Sequence, residues 1–476
     1  MTIAISSPQP AFPRRWIAAA ALFLAAFMNL LDVTIVNLAL PAIRSDFNAT
    51  STQLEWVLVI YVLCFAAGLL PFGRFGDVFG RGRMFNWGVV GFMLSSAACG
   101  LAPSIETLIA GRALQGLTGT MMVPQVLAII HVIFPAEDKG RVIGLYGMIS
   151  ALGAVAGPVV GGAIVSADIA GLGWRPIFLL NLPLGLVSLV GALCFVPRLQ
   201  ANTRIPADWG GAALFALAIA CLIYPLVEGR HLGWPVWCFA LMAFSVGLGG
   251  VFTWQQARRA ARGRAQLLPV SLLRDRAFVL GLIAVTLFFS GIAGVFFMLA
   301  IFLQLGVGLS ALDAGIATAP HPAGVMIASL LTGRLGGRWL DGRTAVGAAM
   351  LFAGMAWVQS IVGGADAALK GTDLLLPLLI VGLGMGTAIV ALFQSVLSRV
   401  SGPDAGAGSG VLQAFQQVGI AISIALIGQI FFSVVEASPD QTAYTAAARA
   451  ALWYPIGVYL LLAVVCAWIA RRNAAA

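Results

Sequence analysis

Apolar runs long enough to span a bilayer, separated by short charged turns, repeat from one end of the chain to the other. Fourteen can be read, near 16–40, 54–72, 85–102, 107–131, 142–166, 176–196, 210–227, 235–254, 277–304, 313–332, 345–364, 374–395, 408–432 and 451–470. A helix rises about 1.5 Å per residue, so some 20 apolar residues cross a hydrocarbon layer about 30 Å thick. The pattern predicts an all-α membrane protein of 14 transmembrane helices. An even number of crossings returns the C-terminus to the face that holds the N-terminus.

The placement of the bases orients the spans. With both termini cytoplasmic, 21 of the 27 Lys and Arg fall in inner segments, while Arg44, Arg175, Arg230, Lys370 and Arg449 lie outside and only Arg112 falls within a span. This is the asymmetry of the positive-inside rule, repeated in every alternate loop. The net charge of +9 is therefore a topology signal, and no nucleic-acid partner is expected. Arg14-Arg15 before the first apolar run resembles a signal-peptide flank, but the run is too long for one and reads as an uncleaved first span. The excess of Arg over Lys hints at a GC-rich bacterium, which places the chain as a multi-pass protein of the cytoplasmic (inner) membrane.

Composition removes other classes. Hydrophobic residues make up 60% and charged residues 9%, against about 25% charged in a soluble domain. The six cysteines lie in or beside apolar runs without a CxxC pair and read as core residues. Neither lysine follows a glycine, so no phosphate-binding GKS/GKT loop is present. HExxH, GxSxG and His/Cys clusters are also missing from the sequence, so neither an ATP-driven pump nor an enzyme is expected.

A repeat divides the chain. GRFGDVFGRGR at 73–83, between spans 2 and 3, returns as GRLGGRWLDGR at 333–343, between spans 10 and 11. This predicts a six-helix bundle over 1–200, a two-helix insert over 201–257, a basic cytoplasmic linker over 258–276 and a second six-helix bundle over 277–476. Repeated bundles of this kind build alternating-access transporters, with the site between the repeats near mid-membrane.

One acid lies where an acid is costly. Asp32 interrupts the first apolar run, at a cost of at least roughly 2.5 kcal/mol, so it must pair, face water or carry protons. Asn29 and Asn37 share its helix face, giving span 1 one polar side, and with Gln115 of span 4 and His321 of span 10 they are candidates to line a substrate cavity. Arg112 in span 4 needs an anion or a wet cavity in the same way, and helix rise puts it near the depth of Asp32, so the two can meet. Gln115, Gly116 and Gly119 lie on the face of Arg112, where glycines admit another backbone or a substrate. In span 5, Gly153, Gly157 and Gly161 recur every four residues beside Pro158 and Gly162, the spacing of a tight helix contact. His321, between two prolines in span 10, is a candidate proton relay or the cap of a broken helix. Gln413, Gln416 and Gln417 on span 13 are candidates to line a substrate cavity or to bond between helices.

Together these motifs resemble the major facilitator superfamily, and within it the fourteen-spanner drug/proton antiporters. LDVTIVNLALP at 31–41 resembles that family's first-span signature, and GRFGDVFGRGR its loop between spans 2 and 3. RALQGLTG at 112–119 resembles the span 4 motif, GAVAGPVVGG at 153–162 the antiporter motif of span 5, and WRPIFLLNLPLG at 174–185 the start of span 6. The resemblance implies the major facilitator fold, with two pseudo-symmetric bundles plus two inserted helices. It implies a proton-coupling role for Arg112, a seal-and-bend role for the span 5 motif, and a cytoplasmic gate at Gly73, Asp77, Gly80, Arg81 and Arg83. The chain departs from the pattern at Val78 and Gly82, where bases are common, at Gly337, which replaces the acid in the second copy, and at Gln416, where arginine is common. A plain solvated turn is the alternative for the gate.

The expectation is a secondary antiporter that exports an amphipathic organic compound by alternating access. Protons are its coupling ion, without a further cofactor or metal; the small-molecule substrate and the bilayer are its partners, and a monomer is expected. Import of a nutrient by a proton-linked symporter or a uniporter, or export of an endogenous metabolite or lipid, is the alternative, and a membrane scaffold or sensor on a transporter fold is the reading of a different class.

Overall fold

The computed structural model describes residues 14–197, 208–264, 266–268, 270–333, 339–364, 369–398, 400, 405–437 and 441–475. Its described elements are helical. In chain order they are α1 (Arg15–Phe47), α2 (Ser51–Phe79), α3 (Arg81–Gly100), α4 (Ile105–Ile133), α5 (Ala136–Ala167), α6 (Pro176–Leu179), α7 (Asn181–Phe195), α8 (Trp209–Glu228), α9 (Val236–Ala261) and α10 (Val270–Arg274). There follow α11 (Arg276–Ser290), α12 (Ala293–Ile301), α13 (Ala311–Thr318), α14 (Pro320–Gly333), α15 (Leu340–Gly364), α16 (Leu375–Leu397), α17 (Ala405–Ala437), α18 (Gln441–Ala451) and α19 (Trp453–Ala475).

Thirteen stretches of helix among the described residues are long and apolar enough to cross a membrane. The segment read at 85–102 is α3, which has the length but not the composition, because it opens on Arg81 and Arg83 and carries Asn86. It packs on α4 and α7. Several helices start at side chains that satisfy free backbone amides. Thr50 and Gln53 form a capping box on α2, Ser104 accepts from Thr107 N on α4, and Asp275 accepts from Ala277 N and Phe278 N on α11.

The ends of the molecule are fixed by contacts near the helix termini. Arg15 pairs with Asp138 at 2.8 Å and Trp16 meets Phe134 at 4.9 Å, so the start of α1, the end of α4 and the start of α5 share the N-terminal end. Arg175 pairs with Asp46 at 2.7 Å at the far end. Arg449 lies near Gly363 where α15 finishes, so α19 runs from the far end back to the N-terminal end.

Helices α1 to α7 pack among themselves, and so do α11 to α19. The two sets meet where α2 crosses α17 and where α5 crosses α13 and α14. Helix α8 lies against both α2 and α17, and α9 packs outside it. At the N-terminal end of this pair Asp208 is buried, accepting from Gln255, Gln256 and Gly211 N with Arg259 at 3.2 Å. Gln256 Oε1 accepts from the backbone of Leu267 and Leu268, which ties the basic linker to α9.

The segment 73–83, expected as a loop, is helical except at Gly80. There φ is +96°, a conformation that a Cβ disfavours, so α2 turns into α3 at a single residue. Gly73 has open space around it, Arg83 is exposed, and Arg81 donates to the carbonyl of Ala128 on α4 at 2.9 Å, a contact within the first bundle. The side chain of Asp77 lies outside the described residues, as do residues 334–338 of the second copy of the repeat, Gly337 among them.

Candidate functional site

The two ionisable residues that stand alone in apolar runs meet. Arg112 Nη1 donates to Asp32 Oδ2 at 2.6 Å, with both side chains at or below 1% exposure. Such a pair is stable in a medium of low polarity only when the remaining donors and acceptors are also satisfied. Around Asp32 they are. Its Oδ1 accepts from Gln115 Nε2 at 3.1 Å and from Asn181 Nδ2 at 2.7 Å. Ser96 Oγ accepts from the same two amides at 2.9 and 2.8 Å and donates to the carbonyl of Phe178.

Arg112 is held without help from the acid. Its Nε donates to Val57 O at 3.1 Å and its Nη1 also reaches Gln115 Oε1 at 2.8 Å. The guanidinium lies 4.3 Å from the ring centre of Tyr61, a cation–π distance. Five helices thus contribute: α1 the acid, α2 Val57 and Tyr61, α3 Ser96, α4 Arg112 and Gln115, and α7 Asn181. One atom is left over. Asn181 Oδ1 is buried without a hydrogen-bond partner, an uncommon state for a buried amide oxygen.

Other predicted residues fall elsewhere. Asn29 and Gln115, expected to line a cavity, are buried among side chains: Asn29 donates to Tyr61 Oη at 2.6 Å, and Gln115 belongs to the network on Asp32. Gly116 and Gly119 leave room for the backbone of Tyr61 and the amide of Asn29, so the α4 stripe admits protein. Asn37 is half-buried on α1, and Gln413, Gln416 and Gln417 are half-buried on α17. His321 is buried beside the break between α13 and α14, its ring 4.5 Å from that of Phe296 and its Nε2 without a partner.

The span 5 glycines serve two contacts. A Cβ at Gly153 would lie 2.9 Å from Phe27 O and one at Gly161 would lie 3.0 Å from Ile35 O, while one at Gly157 would meet the Thr34 hydroxyl, so this face seats α5 on α1. The adjoining face crosses to the second bundle, where Gly162 abuts the Ala311 carbonyl and the Pro158 carbonyl abuts Gly315. Leu312 N donates to Ser166 Oγ at 3.1 Å and Gln304 donates to Leu38 O at 3.1 Å nearby. These contacts join the bundles at the far end. Toward the N-terminal end there is open space on these helices: a Cβ added at Gly73, Gly144, Gly147 or Gly410 would meet nothing within 4 Å. An apolar groove of about 440 Å³ lies there between α1 and α5, lined by Trp16, Phe23, Leu24, Phe27, Leu145 and Ile149.

The sequence reading overlooked Asn181 and Ser96. Asn181 is a polar residue inside the apolar run of span 6, the same signal that marked Asn29 and Asn37. Ser96 carried no signal, since a serine in an apolar helix commonly bonds its own backbone.

A model of the Major Facilitator Superfamily matches residues 22–424. The probable actinorhodin transporter of Streptomyces coelicolor is 38% identical over 444 residues, covering 93% of this chain and 76% of that protein. The tetracenomycin C resistance and export protein of Streptomyces glaucescens is 31% identical, covering 90% of this chain and 78% of that one. Among solved structures, the POT family transporter PepTSo superposes with a TM-score of 0.70 at 15% identity, covering 97% and 99% of the two chains, a likeness of fold.

Proposed function

Because the chain belongs to the Major Facilitator Superfamily, we propose that it is a proton-coupled antiporter that exports amphipathic or lipophilic organic compounds, antibiotics and other drugs among them, from the cytoplasm of a bacterium. The observation that carries this reading is the Asp32–Arg112 pair, sealed from solvent among five helices. The antibiotic-export names of the relatives support the substrate class, and the apolar groove between α1 and α5 suits a lipophilic compound.

The hydrogen bonds support a reversible change of charge at Asp32. Removing an acid from a buried pair ordinarily strands the base at a cost of several kcal/mol. For Arg112 that penalty is reduced, because Val57 O, Gln115 Oε1 and the Tyr61 ring still solvate it when the carboxyl is neutral. A neutral carboxyl needs an acceptor for its own O–H, and Asn181 Oδ1, on a residue already bonded to Asp32, is a buried acceptor without a partner, reached by a turn of its amide. Asn181 then donates to the ionised acid and accepts from the neutral one.

In the proposed cycle the far end faces outward and the termini lie in the cytoplasm. Parting of the far-end contacts admits a proton to Asp32 and releases substrate; closure and opening of the N-terminal end then return the proton inside and admit new substrate. Each charge moved is driven by about 2.3 kcal/mol per 100 mV. The test is drug addition to energised inverted vesicles with lumen pH recorded. Exchange raises lumen pH in wild type and leaves it unchanged in Asp32→Asn; an unchanged wild-type signal with a transported drug overturns antiport.

A further inference from the structure

A second charged cluster lies at the far end, where the inserted hairpin touches both bundles. Arg230, in the turn after α8, is 11% exposed and donates from Nη1 to Glu436 Oε2 at 2.5 Å, at the end of α17. Its Nη2 lies 3.7 Å from Oε1 of Glu55, an acid 1% exposed near the start of α2 whose Oε1 has no hydrogen bond. Glu55 also lies against Gly428 of α17, where a Cβ would come within 2.7 Å of that oxygen. The guanidinium is 5.4 Å from the ring centre of Phe432, also on α17. One arginine from the insert thus bridges the two helices at which the bundles meet.

The arm that carries Arg230 is stiff and mounted on the first bundle. Trp56 Nε1 donates to Glu228 at 2.5 Å, and the rings of Phe75 and Trp209 meet at 4.4 Å at the other end of α8, so α8 is fixed along α2. The turn is closed by bonds from Trp234 N to Gly229 O at 2.7 Å and from Gly233 N to Arg230 O at 3.1 Å. Trp234 holds φ at +54°, a conformation a bulky residue adopts only when its surroundings impose it. Its indole packs on Gly229 and stacks with Phe239.

We propose that the two inserted helices form a latch on the outer end of the transporter, with Arg230 seated on Glu55 of the first bundle and gripping Glu436 of the second. The bundles part at this end in the outward-open state, and Arg230, carried by α2, then leaves Glu436. Breaking that grip is a cost the closed state does not bear, so the latch biases the protein toward the conformation open to the cytoplasm. This inference rests on alternating access in the proposed function, but not on which group carries the proton.

The test places spin labels at Thr107 of the first bundle and Ser433 of the second, in full-length protein with the exposed Cys194 replaced by serine, and reads their distance distribution. Arg230→Gln and Glu436→Gln raise the ratio of long to short distances by about tenfold, the scale of one part-buried charge pair. Glu436→Lys, which sets two cations together, raises it further. Glu436 is 53% exposed, so its variants leave folding intact. Distributions identical to wild type in all three variants overturn the latch. If that happens while Asp32→Asn still abolishes exchange, antiport stands and only the latch fails.

Discussion

Asp32 and Arg112 carry opposite charges in the same dry space, and the ionised acid depends on the base for its place there. Arg112→Ala strands an ionised carboxylate at 0% exposure, and a loss of about 3–5 kcal/mol is expected. Thermal unfolding in detergent reads it. Adding Asp32→Asn to Arg112→Ala removes the stranded charge and restores most of the lost stability without restoring exchange. A double variant no more stable than Arg112→Ala would show that the pair is not what Arg112 stabilises. Asn181→Ala removes one of the two amides that donate to the ionised Asp32 and the acceptor proposed for its neutral form, so the pH dependence of drug exchange shifts while the fold is kept; an unshifted profile would assign Asn181 to packing alone. Asp32 and Arg112 were legible in the sequence because a charge within an apolar run has few explanations. Asn181 and Glu55 were harder: the first is a neutral residue in a long motif, and the second stands at the very edge of span 2, where a charge is ordinary.

At the scale of elements, α5 has two seams with different duties. One seats it on α1 through Gly153, Gly157 and Gly161, and the other meets α13 of the second bundle through Gly162. Gly157→Val therefore lowers thermal stability, because the new side chain meets Thr34 inside one bundle. Gly162→Val acts across the bundles, where it meets backbone at Ala311 and holds the far ends apart. A cysteine replacing Ser166 then reacts faster with a membrane-impermeant maleimide; equal rates with and without Gly162→Val would contradict the assignment. The four-residue spacing made the first seam readable, but which neighbour a helix face meets is settled by tertiary packing, so the second was not. Helix α3 shows another limit, since its arginines and Asn86 dilute its hydropathy although it packs as a full helix on α4 and α7.

Among the described residues the two bundles are joined at the far end, while Gly73, Gly144, Gly147 and Gly410 toward the N-terminal end have open space around them, an asymmetry that suits alternating access. The order of spans followed from hydropathy and charge, because membrane insertion itself reads those quantities. The contacts that hold one conformation closed did not, since they pair residues far apart in sequence, such as Arg230 with Glu436 or Leu312 with Ser166. Sidedness is checked by single cysteines: one replacing Ile169 at the far end labels in intact cells, and one replacing Glu137 at the N-terminal end labels only in inverted vesicles. The reverse pattern would invert the proposed cycle.

The central claim is that Asp32 gives up its proton when drug binds. Purified protein in weakly buffered detergent, mixed with a transported drug in the presence of a pH indicator, tests it most directly. Wild type is predicted to release protons in step with binding, and Asp32→Asn to bind drug with no release. Equal release from both proteins, or binding by wild type with no release across the working pH range, would contradict the account.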